Sequence, residues 1–160
     1  MTASTRPDHL RAGPIALVAV GGAFGTAVRA GITLVVHPVG GFPVAIFGIN
    51  LVGAFVLGLL LQALVARGDD TGRRRQLRLL VGTGVLGGFT TYSALSADSA
   101  VLLSSGGLAL ALAYGVATVV LGGLASWAGI LLGGRRSSGA GAGAGALPID
   151  PDTDAQDGRS

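Results

Sequence analysis

Cysteine, lysine and glutamate are absent from the 160 residues, so all eleven cationic side chains are arginine and all eight anionic ones are aspartate. The chain therefore has no disulfide, no thiolate metal site and no cysteine nucleophile. A lysine nucleophile and a glutamate proton carrier are excluded as well. Charged residues make up only 12% of the chain, whereas soluble domains contain roughly 25%. So few charges cannot cover a water-soluble surface.

The hydrophobic residues, half of the chain, fall into four long blocks at 14–36, 44–66, 77–103 and 108–132. About 20 apolar residues are enough for a helix to cross the hydrocarbon core of a bilayer. The blocks predict an all-α membrane protein with four transmembrane helices. The connections 37–41 and 104–107 are short and uncharged, which predicts that the helices they join pack as hairpins.

This pattern divides the chain into three regions. Residues 1–13 form an N-terminal segment, and residues 14–134 form the transmembrane domain. Residues 135–160 begin with two arginines and continue as a Gly/Ala run punctuated by aspartate and proline. Such a segment has little to bury, so it is predicted to be a disordered tail.

Arginine is concentrated on one side of the predicted membrane. In a four-span chain the N-terminus, the middle loop and the C-terminus share a side, and nine arginines close to the span ends fall there while neither opposite loop has one. Because cytoplasmic loops are enriched in arginine and lysine, both termini are predicted to be cytoplasmic. The nine are Arg6, Arg11, Arg67, Arg73, Arg74, Arg75, Arg78, Arg135 and Arg136.

Glycine accounts for 29 residues and recurs within the spans at the spacing of a helix face, as in Gly21 with Gly25 and Gly84 with Gly88. Small residues four apart let helix backbones approach closely in lipid. The pattern predicts a tightly packed bundle that is extended by oligomerisation.

The third span contains poor helix-forming residues, since Gly87 and Gly88 are followed closely by the β-branched Thr90 and Thr91. We expect this helix to be broken near mid-membrane. Non-helical backbone at that depth is tolerated only where protein or a water-filled cavity surrounds it. A break frees carbonyl oxygens for a cation and amide donors for an anion, as in discontinuous transporter helices.

Polar residues inside spans are candidates for function, because a polar group in hydrocarbon is costly without a partner. Arg29 is either a snorkelling side chain or an anion-attracting charge at a vestibule. Asp98 is the only carboxylate within a span, and an ion pair with Arg29 would neutralise both charges. Asn50 either forms an interhelical hydrogen bond or lines a polar pathway. Ser126 extends the face of the fourth helix that carries the hydroxyls of Tyr114 and Thr118, which lie four residues apart.

Together these motifs resemble the fluoride channel family known as Fluc or CrcB, over all four spans and roughly residues 14–133. One motif falls in each helix, in the family's order. They are Gly-x-x-Gly-x-x-x-Arg (Gly22, Gly25, Arg29), Gly-x-Asn-x-x-Gly (Gly48, Asn50, Gly53), Gly-Gly-x-Thr-Thr-aromatic-Ser (Gly87 to Ser93) and Tyr-x-x-x-Ser/Thr (Tyr114, Thr118).

The resemblance implies an antiparallel dimer of four-helix subunits in a bacterial plasma membrane. The implied dimer has two narrow fluoride pores and a structural sodium ion at its interface. The sodium ion is bound by backbone carbonyls that map to Gly87 and Thr90. The pore residues that it implies map to Asn50, Thr91, Ser93, Tyr114 and Thr118. Two phenylalanines of the family, whose ring edges face fluoride, map to Tyr92 and Leu95.

Leu95 is a departure from the family pattern, because a ring edge carries partial positive charge and leucine has none. The one-sided arginines are a second departure. A subunit that forms an antiparallel homodimer must insert in both orientations, which requires nearly balanced positive charge. We therefore expect a heterodimer with an oppositely oriented homologue, although a homodimer remains open.

The predicted function is a fluoride-selective channel subunit that exports cytoplasmic fluoride passively and so lowers its toxicity. It is not expected to be an enzyme, because no nucleophile and base are in register. One alternative is a non-conducting assembly subunit, which Leu95 and Tyr92 favour. Another is a small multidrug exporter, which normally needs a membrane-embedded glutamate.

Overall fold

The structure, a computed structural model, describes residues 12–67 and 70–138, the last four without their side chains. The predicted N-terminal segment lies outside these residues except for its last two, and residues 139–160 of the predicted tail lie outside them too. The described part is helical apart from its connections, with no strand beyond a two-residue bridge between Val39 and Phe42. Its helices are α1 (Ala12–Val35), α2 (Val44–Val65), α3 (Gly72–Leu77), a π-helix (Arg78–Leu86), α4 (Gly87–Phe89), α5 (Tyr92–Ser104) and α6 (Leu108–Ser138).

Four stretches of helix are long and apolar enough to cross a membrane, which confirms the predicted number. They are Ala12–Val35, Val44–Val65, Gly72–Ser104 and Leu108–Gly134. The third starts five residues before the apolar block at Leu77, because Arg73, Arg74 and Arg75 lie in α3. Arginine is a good helix former, so the helix continues past the end of its apolar part.

Tight turns join α1 to α2 and α5 to α6. In the first, Gly40 and Gly41 have positive φ angles of 58° and 82°, a conformation that glycine adopts without steric cost. The backbone groups of Val39 and Phe42 bond reciprocally across this turn, at 3.1 and 2.9 Å. Gly106, with φ of 80°, turns the chain between α5 and α6.

Helix pairing differs from the simple hairpin prediction. α1 packs mainly against the π-helix and α4 and touches α2 little, while α2 packs mainly against α6. The predicted hairpin is present for α5 and α6, which do contact each other. A short connection brings two helix ends together, but the faces that pack along their length are chosen by side-chain shape.

Glycines mark where α1 approaches the third span. Gly21 and Gly25 are buried, and a Cβ at either would collide with the backbone of Val85. Gly88 meets the Gly22 carbonyl in the same way. The backbones therefore touch directly, as the four-residue spacing predicts.

The same close approach recurs between α2 and α6. A Cβ on Gly58 would collide with the carbonyl of Ser126, and one on Gly129 with the carbonyl of Phe55. Gly133 lies four residues after Gly129, and a Cβ there would crowd the Leu59 carbonyl of α2, so four-residue glycine spacing marks this helix contact as well.

Gly25→Ala is expected to lower the thermal unfolding midpoint of the purified protein. The new methyl group must displace the Val85 backbone, and such overpacking costs roughly 1–3 kcal/mol. Gly31→Ala is the matched control, because it lies on the same helix with nothing within 4 Å of its Cβ position. Equal midpoints for the two variants would contradict the close approach.

Candidate ion pathway

The third span is interrupted at Thr90 and Thr91, whose backbones are extended (φ −77°, ψ 154° and φ −154°, ψ 121°). Helix α4 ends before them and α5 begins after them. The Thr90 hydroxyl donates to the Leu86 carbonyl at 2.9 Å. Thr91 caps α5, because its hydroxyl oxygen accepts the Ala94 N–H at 3.2 Å, as threonine commonly does at a helix N-terminus.

Asn50 of α2 holds this interruption through two hydrogen bonds. Its Nδ2 donates to the Thr91 carbonyl at 3.2 Å, and its Oδ1 accepts the Thr91 N–H at 2.9 Å. These bonds satisfy both backbone groups of a residue that has left the helix. The interhelical hydrogen bond, one of the two interpretations of Asn50, is therefore present. An amide nitrogen carries two hydrogens, so one remains for another acceptor.

Two hydroxyl groups extend the polar surface next to Asn50. The Thr91 and Ser93 hydroxyl oxygens lie 3.0 Å apart, and the Ser93 side chain is exposed on the single subunit. Three of the predicted pore residues thus come together at the interruption.

Tyr114 anchors a second group of predicted residues between α5 and α6. It is fully buried and belongs to one apolar cluster with Leu95, which is 7% exposed. The Thr118 hydroxyl donates to the Tyr114 carbonyl at 2.7 Å, which is the backbone bond usual for threonine in a membrane helix. Ser126, two turns further along α6, lies instead where α2 approaches.

Asp98 has a different partner from the one that the sequence suggested. Its Oδ2 accepts the Tyr114 hydroxyl at 3.2 Å, whereas Arg29 donates from Nε to the Gly88 carbonyl at 3.3 Å. Thr26 donates to that carbonyl as well, at 3.4 Å. The suggested ion pair between Arg29 and Asp98 is therefore wrong within this subunit.

Position within the hairpin could have identified the partner of Asp98. Asp98 lies six residues before the last residue of α5, Ser104, and Tyr114 lies six residues after the first residue of α6, Leu108. Equal distances from a tight turn place two residues at the same depth. A tyrosine and an aspartate at equal depth on two helices joined by a tight turn are the sequence signal for a hydrogen bond between them.

The sequence prediction singled out only some of the aromatic residues near the candidate pathway. Tyr92 is 79% exposed on the subunit, so it is not brought together with Leu95 and Tyr114. Phe42 and Phe47, which the sequence prediction did not single out, pack against the cluster that contains Leu95. Phe42 stands edge-on to Tyr114, with ring centroids 5.4 Å apart and an interplanar angle of 85°.

Comparison with known proteins supports the family resemblance independently of the geometry. The model of the family described as CrcB-like protein, Camphor Resistance (CrcB), matches residues 16–130. A protein of Leifsonia xyli subsp. xyli named fluoride-specific ion channel FluC 2 is 48% identical over 130 residues, which cover 81% of this chain and 90% of the relative. Fluoride-specific ion channel FluC 1 of Cutibacterium acnes is 42% identical over 132 residues, covering 78% and 90%. FluC of Deinococcus radiodurans is 44% identical over 121 residues, covering 74% and 93%.

Proposed function

The chain belongs to the CrcB family, and from that premise we propose that it is a subunit of a fluoride-selective channel. The observation that carries the proposal is 48% identity, over 81% of this chain, to a protein named as a fluoride-specific ion channel. Membership confirms the family resemblance of the four motifs. It also confirms that the chain is not an enzyme, since the family is one of ion channels.

The polar groups at the interruption have the chemistry that a fluoride pathway needs. A small, strongly hydrated anion gives up water only where donors replace it, and a pore must also let the ion leave. The second Asn50 hydrogen and the one hydroxyl hydrogen that Thr91 and Ser93 do not use between themselves are neutral donors that lie together. The sequence contains no lysine, whose fixed charge would retain the anion.

A structural sodium ion fits the interruption. In the described part of the chain, the carbonyls of Gly87 and Thr90 receive no hydrogen bond from the residue four positions on, because the Thr91 N–H goes to Asn50 and the Ala94 N–H goes to the Thr91 hydroxyl. Carbonyl oxygens of this kind suit a hard cation. The bound ion would supply positive charge that ties the two subunits together. The adjacent Gly88 carbonyl is excluded from this role, since Arg29 and Thr26 donate to it.

The assembly that we propose is an antiparallel heterodimer. Tyr92 lies next to the interruption and is 79% exposed on the single subunit, so a partner that packs there would cover it and receive its ring edge. The nine arginines on one side favour a partner of opposite orientation rather than a second copy of this chain.

Passive conduction is sufficient for export. Fluoride enters cells as its weak acid and ionises in a cytoplasm that is less acidic than the medium. The membrane potential then drives the anion outward through the channel, which lowers fluoride toxicity without an energy source.

The test is anion efflux from liposomes that contain this chain co-purified with an oppositely oriented family homologue. Fluoride efflux, measured with a fluoride electrode, should exceed chloride efflux from matched vesicles. Efflux of neither anion, or chloride efflux as fast as fluoride efflux, would contradict the proposal.

A non-conducting assembly subunit is the second candidate, favoured by Leu95 in place of an aromatic residue. In that case the Asn50→Leu and Tyr114→Phe changes would leave the flux of the pair unaltered, because only the pore of the partner would conduct.

Tyr114→Phe is expected to reduce fluoride flux through the pore that this subunit lines by about tenfold, an effect equal to roughly 1.4 kcal/mol in the barrier. The variant keeps the ring against Phe42 but removes the hydroxyl that donates to Asp98. Ser99→Ala is the control, because Ser99 bonds only its own helix, at the Leu95 carbonyl. Equal flux from both variants would show that the Tyr114 hydroxyl is dispensable.

A further inference from the structure

A groove of about 700 Å³ lies between the first turns of α1 and the start of the third span. Pro14, Leu17 and Leu79 form its apolar walls, and Arg75 and Gln76 of α3 supply its polar groups. The first and third spans of a four-span chain begin on the same side of the membrane. The groove therefore lies at one membrane surface, where apolar and charged surroundings meet.

The loop and helix beside the groove carry a net positive charge. Residues 67–78 contain five arginines and two aspartates, and Asp70 is bonded to Arg78, with its Oδ2 2.8 Å from Nε. Arg73 and Arg74 are exposed and Arg75 is half-buried. Successive helical residues point about 100° apart, so Arg75 alone of these three lines the groove while its neighbours raise the local potential.

We infer that this groove binds an anionic phospholipid. The phosphate lies against the Arg75 guanidinium, whose planar fork matches phosphate oxygens, and one acyl chain lies along Pro14, Leu17 and Leu79. Basic pockets between transmembrane helices at a membrane surface recognise anionic headgroups in this way. A phospholipid contacts both the apolar walls and the polar groups of the groove, whereas free phosphate would contact only the polar groups.

The site is separate from the proposed ion pathway. It involves none of Asn50, Thr91 or Tyr114, so lipid binding and fluoride flux can fail independently. Anionic lipid would hold the ends of α1 and α3 together at the surface where the arginines concentrate.

Native mass spectrometry of the purified full-length chain tests the site, with phosphatidylglycerol and phosphatidylcholine as the two probes. Phosphatidylglycerol should bind in preference. Arg75→Gln should weaken that binding about fivefold, the loss expected for one cation at an anionic lipid surface. Gly13→Leu should weaken it at least as much without altering charge, because nothing lies within 4 Å of a Cβ at Gly13 and a larger side chain would fill the groove.

Two matched variants separate the groove from diffuse surface charge. Arg67→Gln removes an exposed arginine that does not line the groove, and Gly31→Leu adds the same side chain at an open position near the other end of α1. Both should bind phosphatidylglycerol within about twofold of the parent, less than the effect of one lost cation. Thermal midpoints without lipid should be equal for all four, and only the parent and these two should gain stability from phosphatidylglycerol.

Three results would overturn the inference. One is equal binding of the two lipids. The second is equal weakening by Arg67→Gln and Arg75→Gln, which would mean a diffuse charge effect. The third is displacement of the lipid by inorganic phosphate, which would identify a free-anion site instead.

Discussion

Replacing Asn50 by leucine is expected to reduce fluoride flux through the pore of this subunit at least about a hundredfold, or roughly 2.7 kcal/mol in the barrier. The change leaves both backbone groups of Thr91 without their partners, and each unsatisfied group costs about 1–3 kcal/mol. It also removes the amide hydrogen that we assign to the ion. In liposomes that hold the pair, the fluoride efflux that remains should be that of the partner's pore alone.

Asn50→Asp separates the shape of the side chain from its hydrogen bonding. The carboxylate can still accept the Thr91 N–H, but it turns an oxygen toward the Thr91 carbonyl where Asn50 has a donor. It also adds negative charge beside an anion pathway. We expect its flux to be as low as that of Asn50→Leu, although the side chains of aspartate and asparagine have the same shape.

Gln62→Leu is the control for Asn50. Gln62 lies on α2 about three turns further along, where it packs beside Gly133 of α6. Its loss should leave flux near that of the parent pair. If Asn50→Leu conducts as well as Gln62→Leu, this chain contributes no pore and the assembly-subunit alternative holds.

The sequence was sufficient for the four spans but not for their pairing. Hydropathy located four spans because apolar length is a one-dimensional property. The partner of α1 depends on which helix faces meet, and hydropathy carries no information about faces. Gly21, Gly25, Gly84 and Gly88 did contain that information, since small residues on two helices can match, but the short connection to α2 outweighed it.

The π-helix at Arg78–Leu86 had no signal in the sequence. It contains apolar residues and glycines besides Arg78 and Thr83, none of which specifies an extra residue per turn, and the element it contacts most is α1. π-helical turns often occur at functional sites, and this one directly precedes α4 and the interruption at Thr90. The π-helix changes the direction in which the residues after it point, and this change could not be predicted from composition.

The break in the third helix was predicted from residue type, whereas the partner of Asp98 was missed because helix rotation decides it. The role of Thr91 as the N-cap of α5 was not predicted, although threonine is a common residue at that position. Asp98 had two possible partners, Arg29 and Tyr114. Equal distance from the turn places Asp98 and Tyr114 at one depth, and the rotation of α5 and α6 about their axes then decides that the two side chains meet.

Expressed and purified without a partner, the chain is expected to give fluoride efflux no faster than protein-free liposomes. An antiparallel pair of identical chains requires one copy to place the nine-arginine side across the membrane, and that placement opposes the charge bias that sets topology. Size-exclusion chromatography should give no dimer of the single chain. Fast fluoride efflux from the single chain would contradict the heterodimer directly.

Labelling of introduced cysteines measures the orientation itself, because the chain has no cysteine of its own. Thr71 precedes α3 on the arginine-rich side, and Ser104 ends α5 on the opposite side; both are exposed. In intact cells, a membrane-impermeant maleimide should label Ser104→Cys and leave Thr71→Cys unlabelled until the cells are lysed. Equal labelling of the two positions would mean insertion in both orientations, and the requirement for a separate partner would then lose its physical basis.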